Sequence, residues 1–146
     1  MRTVIQRVKS ASVLINGSDK NEINKGLMVL CAFEEEDNIE KIKYVANKIM
    51  NLRIFSDEND KLNLSLLDIK GDILIVSNFT LYGNCVKGRR PNFTRAAKPE
   101  LSEKMYDAFV EEIKSYGLKV ETGKFGADML CDIQNDGPVT VIVESK

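Results

Sequence analysis

The sequence predicts an α+β domain in which a β-rich, mostly antiparallel sheet or barrel is covered by two amphipathic helices. Apolar and polar residues alternate over 2–8, the continuous apolar run 26–33 is typical of a strand buried on both faces, and 71–82 has the pattern of a second strongly buried strand. Two further segments carry apolar residues at helical spacing, in an order that is not a regular strand–helix alternation. The length of 146 residues is that of about one domain, so we expect residues 1–146 to form a single domain.

Strands are predicted for the N-terminal part of the chain. Val4, Gln6 and Val8 share one face of the first strand, and SVLIN (12–16) continues its pattern. GLMVLCAF (26–33) is apolar throughout, which predicts a strand that is buried on both faces and away from the sheet edge.

Helical spacing predicts two helices. The first begins behind an Asp37-x-x-Glu40 capping box and spans about four turns. The second begins at Pro99, which suits a first helical turn, and ends before Gly117, which suits a helix stop. The predicted buried positions are Ile39, Ile42, Val45, Ala46, Ile49 and Met50 in the first helix, and Leu101, Met105, Ala108, Phe109 and Ile113 in the second.

The remaining segments are predicted as strands, turns and one long loop. LRIF (52–55) and 71–82 are expected to be strands, SDENDK (56–61) a turn, and 83–98 a loop without periodicity. After the second helix the expected strands are LKVET (118–122), DMLCDIQ (128–134) and VTVIVE (139–144), and Val139, Val141 and Val143 share a face of the last one.

The stretch NDGPVT (135–140) separates the last two predicted strands. Asn-Asp-Gly is typical of a hairpin turn, yet Pro138 follows Gly137 where a tight hairpin would resume its ladder. On the residues alone a plain turn is slightly favoured. The alternative is a rigid Gly-Pro tip whose main-chain carbonyls form a steric and hydrogen-bonding gate.

Composition excludes several kinds of site. The chain has no histidine, which removes Ser-His-Asp and Cys-His arrangements and the histidine-based zinc sites. Its cysteines are three in number and unclustered, so they predict neither a disulfide framework nor a metal knuckle. No apolar run approaches the length of a membrane span or a signal sequence, so we expect a cytoplasmic protein without a membrane partner.

Three stretches are candidates for binding or catalysis. KGRRPNFTRAAK (87–98) carries cations and no acid, so it is either a solvated basic loop or a site for an anionic partner on which Phe93 offers a stacking face. In SNFTL (77–81) no histidine can activate the hydroxyls, but a bend would aim the N–H groups of Phe79 and Thr80 at an oxyanion. GKFGAD (123–128) is either an ordinary turn or a loop that presents Phe125 as an aromatic platform.

Six stretches together resemble the D-aminoacyl-tRNA deacylase family, in the order and at the spacings of that family. They are MRTVIQRV (1–8), NLRIFSDENDK (51–61), SNFTLYGN (77–84), KGRRPNF (87–93), TGKFGADM (122–129) and NDGPVTV (135–141). The resemblance covers essentially the whole chain. It implies a barrel-like domain with helices outside, and a cytoplasmic homodimer that proofreads translation by hydrolysing the ester of D-aminoacyl-tRNA, and of mischarged glycyl-tRNA, without metal or cofactor.

The resemblance also implies a site shared between two subunits. One side is the bend with Ser77 and Asn78, where the backbone N–H groups of Phe79 and Thr80 would face the ester carbonyl. The other side is the partner's Gly137-Pro138 tip, a cis pair whose carbonyls would block an L side chain. The 2′-hydroxyl of the terminal adenosine would help to activate water.

Further residues gain expected roles from the same resemblance. Arg7 is expected to hold the tip, and Phe125 and Met129 to lie near the terminal adenine. Lys87, Arg89 and Arg90 are expected to contact tRNA because they lie in the basic loop, not because of the resemblance. Asn78 departs from the usual Gln of the family, so a side-chain contact is either lost or bridged by water.

Two rival functions stay open at this point. A non-catalytic RNA-binding module would rest on the basic loop and Phe93, and would bind tRNA in a salt-dependent way without cleaving it. A hydrolase of small esters would rest on Thr80 or Cys85 as nucleophile, and would be labelled covalently.

Overall fold

A computed structural model describes residues 1–146, which form a curved, barrel-like sheet of six strands, a separate two-stranded sheet, and helices packed outside. The strands are β1 (Arg2–Ile15), β2 (Asp19–Ile23), β3 (Gly26–Ala32), β4 (Phe55–Ser56), β5 (Leu62–Leu64), β6 (Asp72–Ser77), β7 (Val120–Thr122) and β8 (Met129–Glu144). The helices are α1 (Ile39–Asn51), α2 (Leu66–Ile69), α3 (Pro99–Lys114) and the 3-10 helix Phe79–Tyr82. None of the helices is long and apolar enough to span a membrane.

The long strand β1 organises the sheet. It pairs antiparallel with β8 along its whole length, with β3 in its first half and with β2 in its second half. The pairs β3–β6 and β6–β7 are parallel, so the predicted β-rich α+β fold is confirmed and the sheet is mixed. β3 lies between β1 and β6 and is almost entirely buried, as its unbroken apolar sequence predicts.

The two long helices pack against each other and against one face of the sheet. α1 buries Ile42, Val45, Ala46, Ile49 and Met50, all of which the helical spacing predicts, whereas Ile39 is exposed. α3 begins at Pro99 as predicted and buries Phe109 and Ile113 in the same core. Burial of these apolar faces is the main source of stability for both helices.

The predicted cap of α1 is wrong by one residue. Asn38 is the N-cap, and its side chain accepts a hydrogen bond from the backbone N–H of Lys41. Asp37 is buried instead, where it accepts from the Met1 ammonium and from the backbone N–H of Glu34. A buried carboxylate needs charged or N–H partners, and the start of β1 supplies one here.

Several predicted strands are shorter in the structure. Of LRIF only Phe55 is in a strand, and SDENDK forms the turn between β4 and β5, in which the side chain of Asp57 accepts from backbone N–H groups. The strand predicted over 71–82 ends at Ser77, where the chain turns into the 3-10 helix. Both β2 and α2 are absent from the prediction, because neither segment has a clear apolar period.

NDGPVT does not form a turn between two strands. The residues on both sides of it pair with β1 in the same direction, so the segment belongs to the single strand β8. The register passes from Val8 opposite Asn135 to Gln6 opposite Thr140, and the four residues 136–139 therefore bulge out opposite Arg7 alone. The peptide bond between Gly137 and Pro138 is cis, and both residues are exposed.

Candidate functional site

The main cavity of the chain lies at the carboxyl ends of two neighbouring parallel strands. It has a volume of about 580 Å³ and opens where β3 and β6 end side by side, with Cys31 opposite Ser77. Open sheets commonly bind ligands at this edge. The lining is mostly apolar and consists of Cys31, Ala32, Phe33, Ser77, Asn78, Phe79, Phe93, Ala96, Ala97, Lys98, Pro99, Ser102, Phe125, Gly126, Ala127 and Met129.

One wall of the cavity is the bend that follows β6. The backbone N–H of Asn78 donates to the carbonyl of Cys31 at 2.8 Å, which ties the bend to the end of β3. The 3-10 helix starts directly afterwards, and the first N–H groups of a helix have no partner within it. Phe79 and Thr80 are these first residues, and the Phe79 side chain is 58% exposed beside the cavity.

The side chains of this bend hold each other. The Thr80 hydroxyl donates to Oδ1 of Asn78, so the side-chain amide of Asn78 is engaged within the bend. No histidine, carboxylate or amine contacts the Thr80 hydroxyl, and Thr80 does not line the cavity. The hydroxyl therefore has no base to activate it as a nucleophile.

Cys31 is the one thiol that lines the cavity, and its surroundings make it unreactive. It is fully buried at the end of β3, and this burial strongly raises the pKa of its thiol. The reactive form of cysteine is the thiolate, which the apolar surroundings disfavour. Cys85, the thiol that the sequence offers as a possible nucleophile, is exposed outside this cavity.

The opposite wall is the segment that joins β7 to β8. Phe125 packs against Tyr106 of α3 with ring centroids 6.1 Å apart and faces the cavity together with Met129. Gly123 gives Met129 the room it occupies, since a Cβ on Gly123 would come within 2.5 Å of the Met129 sulfur. The fold thus brings two of the residues expected near an adenine to the same cavity as the SNFTL bend.

The Gly137-Pro138 tip lies outside this cavity. Arg7, whose side chain is only 11% exposed, donates from Nε to the carbonyl of Asp136 at 3.0 Å and from Nη1 to the carbonyl of Ile54 at 2.9 Å. Gly137 has a φ of +125°, and a Cβ there would lie 3.1 Å from Arg7 Nη2. Arg7 and the bulge of β8 are thus in direct contact, away from the candidate site of their own chain.

Some cations of the basic loop form ion pairs with acidic side chains and others do not. Lys87, Arg89 and Arg90 are exposed and form no ion pair, whereas Arg95 is paired with Glu34. Lys98 is the only charged residue that lines the cavity. A bridge between Asn84 and Asn92 closes the base of the loop, and Phe93 beside it packs edge-on against Phe79 with ring centroids 5.2 Å apart.

Sequence reasoning missed the contribution of two segments to the cavity. The sequence at the end of β3 predicts only a buried strand, and residues 96–99 predict only the end of a loop and the start of a helix. One feature of the sequence could have indicated this contribution. The apolar length of β3 and β6 is typical of parallel buried strands, and parallel neighbours end at the same edge of a sheet. The hydrogen bond from Ala97 N–H to the Phe33 carbonyl then places residues 96–99 beside them.

Comparison with known proteins gives consistent matches over the whole chain. Residues 4–144 match the family model described as D-Tyr-tRNA(Tyr) deacylase. A D-aminoacyl-tRNA deacylase of Thermosipho africanus is 57% identical over all of this chain and 98% of that relative, and one of Fusobacterium nucleatum is 55% identical over all of this chain and 97% of that relative. A solved structure titled "c-Myc DNA Unwinding Element Binding Protein" superposes with a TM-score of 0.92 at 40% identity, over all of this chain and 99% of that one.

Proposed function

The chain belongs to the D-Tyr-tRNA(Tyr) deacylase family, and from this we propose that it hydrolyses the ester bond of D-aminoacyl-tRNA to free amino acid and tRNA. It would act in the cytoplasm as a proofreading enzyme of translation. The observation that carries the proposal is that Ser77, Asn78 and Phe79 of the SNFTL bend line one cavity together with Phe125, and that Thr80 directly follows them in the chain. A volume of about 580 Å³ with an apolar lining suits a terminal adenosine whose ribose carries an esterified amino acid.

The proposed reaction uses main-chain groups of the protein and a hydroxyl of the substrate. Water attacks the ester carbonyl and the carbonyl oxygen becomes an oxyanion, which the N–H groups of Phe79 and Thr80 stabilise by hydrogen bonds. The 2′-hydroxyl of the terminal adenosine assists the removal of a proton from the attacking water. The C–O bond to the 3′-oxygen then breaks, and that oxygen takes up a proton as tRNA leaves.

Chirality would be read by a second copy of the chain. We propose a homodimer in which the Gly137-Pro138 tip of one subunit reaches the cavity of the other, where its carbonyls exclude an L side chain. Glycine has no side chain to exclude, so mischarged glycyl-tRNA would also be cleaved. The exposed tip, its contact with Arg7 and its position outside its own cavity support this arrangement.

An edge strand supports the same arrangement. β8 pairs with β1 on one side only, although it is 16 residues long, and Leu130 and Ile142 on it are 66% and 65% exposed. Long unpaired edges with exposed apolar residues are rarely left uncovered, since they promote association. A second subunit at β8 would cover these residues and bring the tip to an interface.

The unpaired cations of the basic loop would bind the tRNA backbone. Lys87, Arg89 and Arg90 are free to contact phosphates, and the Phe93–Phe79 contact ties the base of their loop to the cavity wall. An RNA whose 3′ end enters the cavity would therefore pass close to these three side chains.

A deacylation assay at low enzyme concentration tests the proposal. The expected result is loss of the D-amino acid from D-tyrosyl-tRNA at a rate far above the spontaneous one, in the presence of a chelator. Tight binding of tRNA with only spontaneous ester loss would reject the enzyme and favour the RNA-binding module.

A further inference from the structure

A cluster of charged and aromatic side chains encloses the end of the 3-10 helix that is opposite to the candidate oxyanion site. Its centre is Tyr82, the last residue of that helix, which is only 3% exposed. The guanidinium of Arg2 lies 5.0 Å from the centroid of the Tyr82 ring, and that of Arg95 lies 5.2 Å from it. Cations at these distances are attracted to the aromatic ring.

Glu34 connects the members of this cluster. Its Oε1 accepts a hydrogen bond from the Tyr82 hydroxyl at 2.8 Å, and its Oε2 accepts from Arg95 Nε at 2.9 Å. The Met1 ammonium lies 4.0 Å from Oε1. Burial alone would raise the pKa of Glu34, but the bonds from Tyr82 and Arg95 outweigh it and lower that pKa, so the carboxylate is charged at neutral pH.

The cluster also holds the main chain of the 3-10 helix. Arg2 Nη1 donates to the carbonyl of Leu81 at 2.9 Å, while its Nε is paired with Glu144. The helix has only four residues, so fixing its Leu81–Tyr82 end also fixes the direction of the N–H groups of Phe79 and Thr80 at its start.

The segment that contains Glu34 also contacts the part of the cavity lining that precedes α3. The Phe33 carbonyl accepts from the N–H of Ala97 at 2.8 Å, and a Glu35 carboxylate oxygen accepts from the N–H of Lys98 at 2.9 Å. Residues 33–35 therefore connect the bend after β6 with the segment that leads into α3. The Glu34 side chain therefore joins the 3-10 helix to a short segment that is itself bonded to residues 97 and 98.

We propose that Glu34 is a positioning residue, which acts through Tyr82 and Arg95 to hold the 3-10 helix in the orientation that hydrolysis requires. Glu34 lies outside the lining of the cavity and makes no contact with the substrate in this scheme. The inference rests on the proposed function, because it assigns the helix start to the reacting ester. Loss of this restraint would slow the chemical step without weakening tRNA binding.

The test compares Glu34→Ala, Glu34→Gln and Tyr82→Phe with a matched control, Glu36→Ala. Glu36 is an exposed acid two residues away that makes no side-chain hydrogen bond or ion pair. Two quantities are measured on folded protein: hydrogen exchange of the peptide 78–83, and the single-turnover rate of D-tyrosyl-tRNA deacylation at saturating enzyme.

For Glu34→Ala we expect about tenfold faster exchange over 78–83 and a single-turnover rate about tenfold lower. We expect no loss of tRNA affinity, because the freed Arg95 adds a cation to the basic loop. Glu34→Gln still accepts a bond from Tyr82 and should recover part of both losses, whereas Glu36→Ala should match the wild type. Adding Tyr82→Phe to Glu34→Ala should cost little more, because both changes break the same contact.

Unchanged exchange over 78–83 in Glu34→Ala would overturn the proposal, and so would an unchanged rate beside an active wild type. If the wild type itself fails to turn over, the proposed function is rejected while the exchange measurement still decides whether Glu34 holds the helix.

Discussion

The Thr80 hydroxyl donates to Asn78 Oδ1 and has no neighbouring base, although its residue lies at the turn where a nucleophile would be sought. The lack of a base beside Thr80 agrees with the absence of histidine from the sequence. The thiol in the cavity, Cys31, is kept protonated by its burial. The groups that the candidate site can use for binding and catalysis are therefore main-chain N–H groups and aromatic faces, not a nucleophilic side chain.

Replacement of Thr80 by alanine distinguishes the two possible mechanisms. Because the proposed oxyanion contact is made by backbone N–H groups, Thr80→Ala should keep the single-turnover rate within about tenfold of the wild type, the difference reflecting the lost bond to Asn78. Quenched reactions analysed by mass spectrometry give the second readout. An ester trapped on Thr80 would reject the main-chain mechanism.

Phe125 tests the adenine site. Phe125→Leu keeps an apolar side chain against Tyr106 but removes the aromatic face, and stacking of a base on an aromatic ring contributes about 1–3 kcal/mol. We expect KM for D-tyrosyl-tRNA to rise about tenfold with little change in kcat. Tyr44→Leu, at an exposed position of α1 away from the cavity, is the control. Equal KM values in the two variants would remove Phe125 from the substrate site.

The elements show which local signals can be read from a sequence. Apolar spacing predicts the buried residues of α1, and Pro99 marks the first residue of α3, because both depend on the chain within a few turns. The cap of α1 could not be placed, since Asp37 is drawn to the Met1 ammonium, 36 residues away. The end of β6 within the predicted strand 71–82 was missed for a similar reason, because the bend there is held by a hydrogen bond from Asn78 N–H to the carbonyl of Cys31, 47 residues before it in the chain.

The hydrogen bond between Glu34, which follows β3, and Tyr82 of the 3-10 helix predicts a pH dependence of stability. Glu34 has a lowered pKa in the folded chain, so its contribution is fully present above the ordinary carboxylate value of about 4.5 and is lost as pH falls through the lower folded value. Glu34→Gln should lower the free energy of unfolding by about 1 kcal/mol at pH 7, a modest amount because the side chain is partly exposed.

Urea unfolding of wild type and Glu34→Gln between pH 7 and pH 3 measures this difference. We expect it to be constant down to about pH 5 and to shrink below about pH 4.5, since protonated glutamic acid resembles glutamine in charge. A difference that grows on acidification would contradict the assignment of a charged, bonded Glu34.

On the scale of the whole molecule, the site consists of segments that are distant in sequence. The end of β3, the bend after β6 and residues 125–129 meet only because β3 and β6 are parallel neighbours, which no local pattern reports. The stretch 135–140 reads as a turn for a similar reason: its sequence permits a hairpin, but its neighbours on both sides pair with β1. The collinear family motifs, rather than periodicity, predict that the bend after β6 and residues 125–129 belong to one site, and none of these motifs includes the end of β3.

The basic loop predicts the salt dependence of RNA binding. Replacing Lys87, Arg89 and Arg90 by alanine removes three unpaired cations, and each lost phosphate contact lowers the slope of log affinity against log salt by about 0.7–0.9. We expect the triple variant to lose about 2 units of this slope, measured by filter binding of deacylated tRNA. The triple variant Lys41, Lys43 and Lys48 to alanine, on α1, is the matched control, and an equal loss there would indicate a nonspecific charge effect.

The most direct test of the account is a competition between the two enantiomers in one reaction. D-tyrosyl-tRNA and L-tyrosyl-tRNA, carrying different isotopes, are mixed with the wild-type chain, and release of each amino acid is followed against time. We expect rapid release of the D-amino acid, with L-tyrosyl-tRNA lost only at its spontaneous rate. We also expect weaker discrimination in Gly137→Ala, where a Cβ would lie 3.1 Å from Arg7 Nη2, than in the control Gly17→Ala, which also has a positive φ but no neighbour within 4 Å. Equal release of both enantiomers by the wild type, or of neither, would contradict the account.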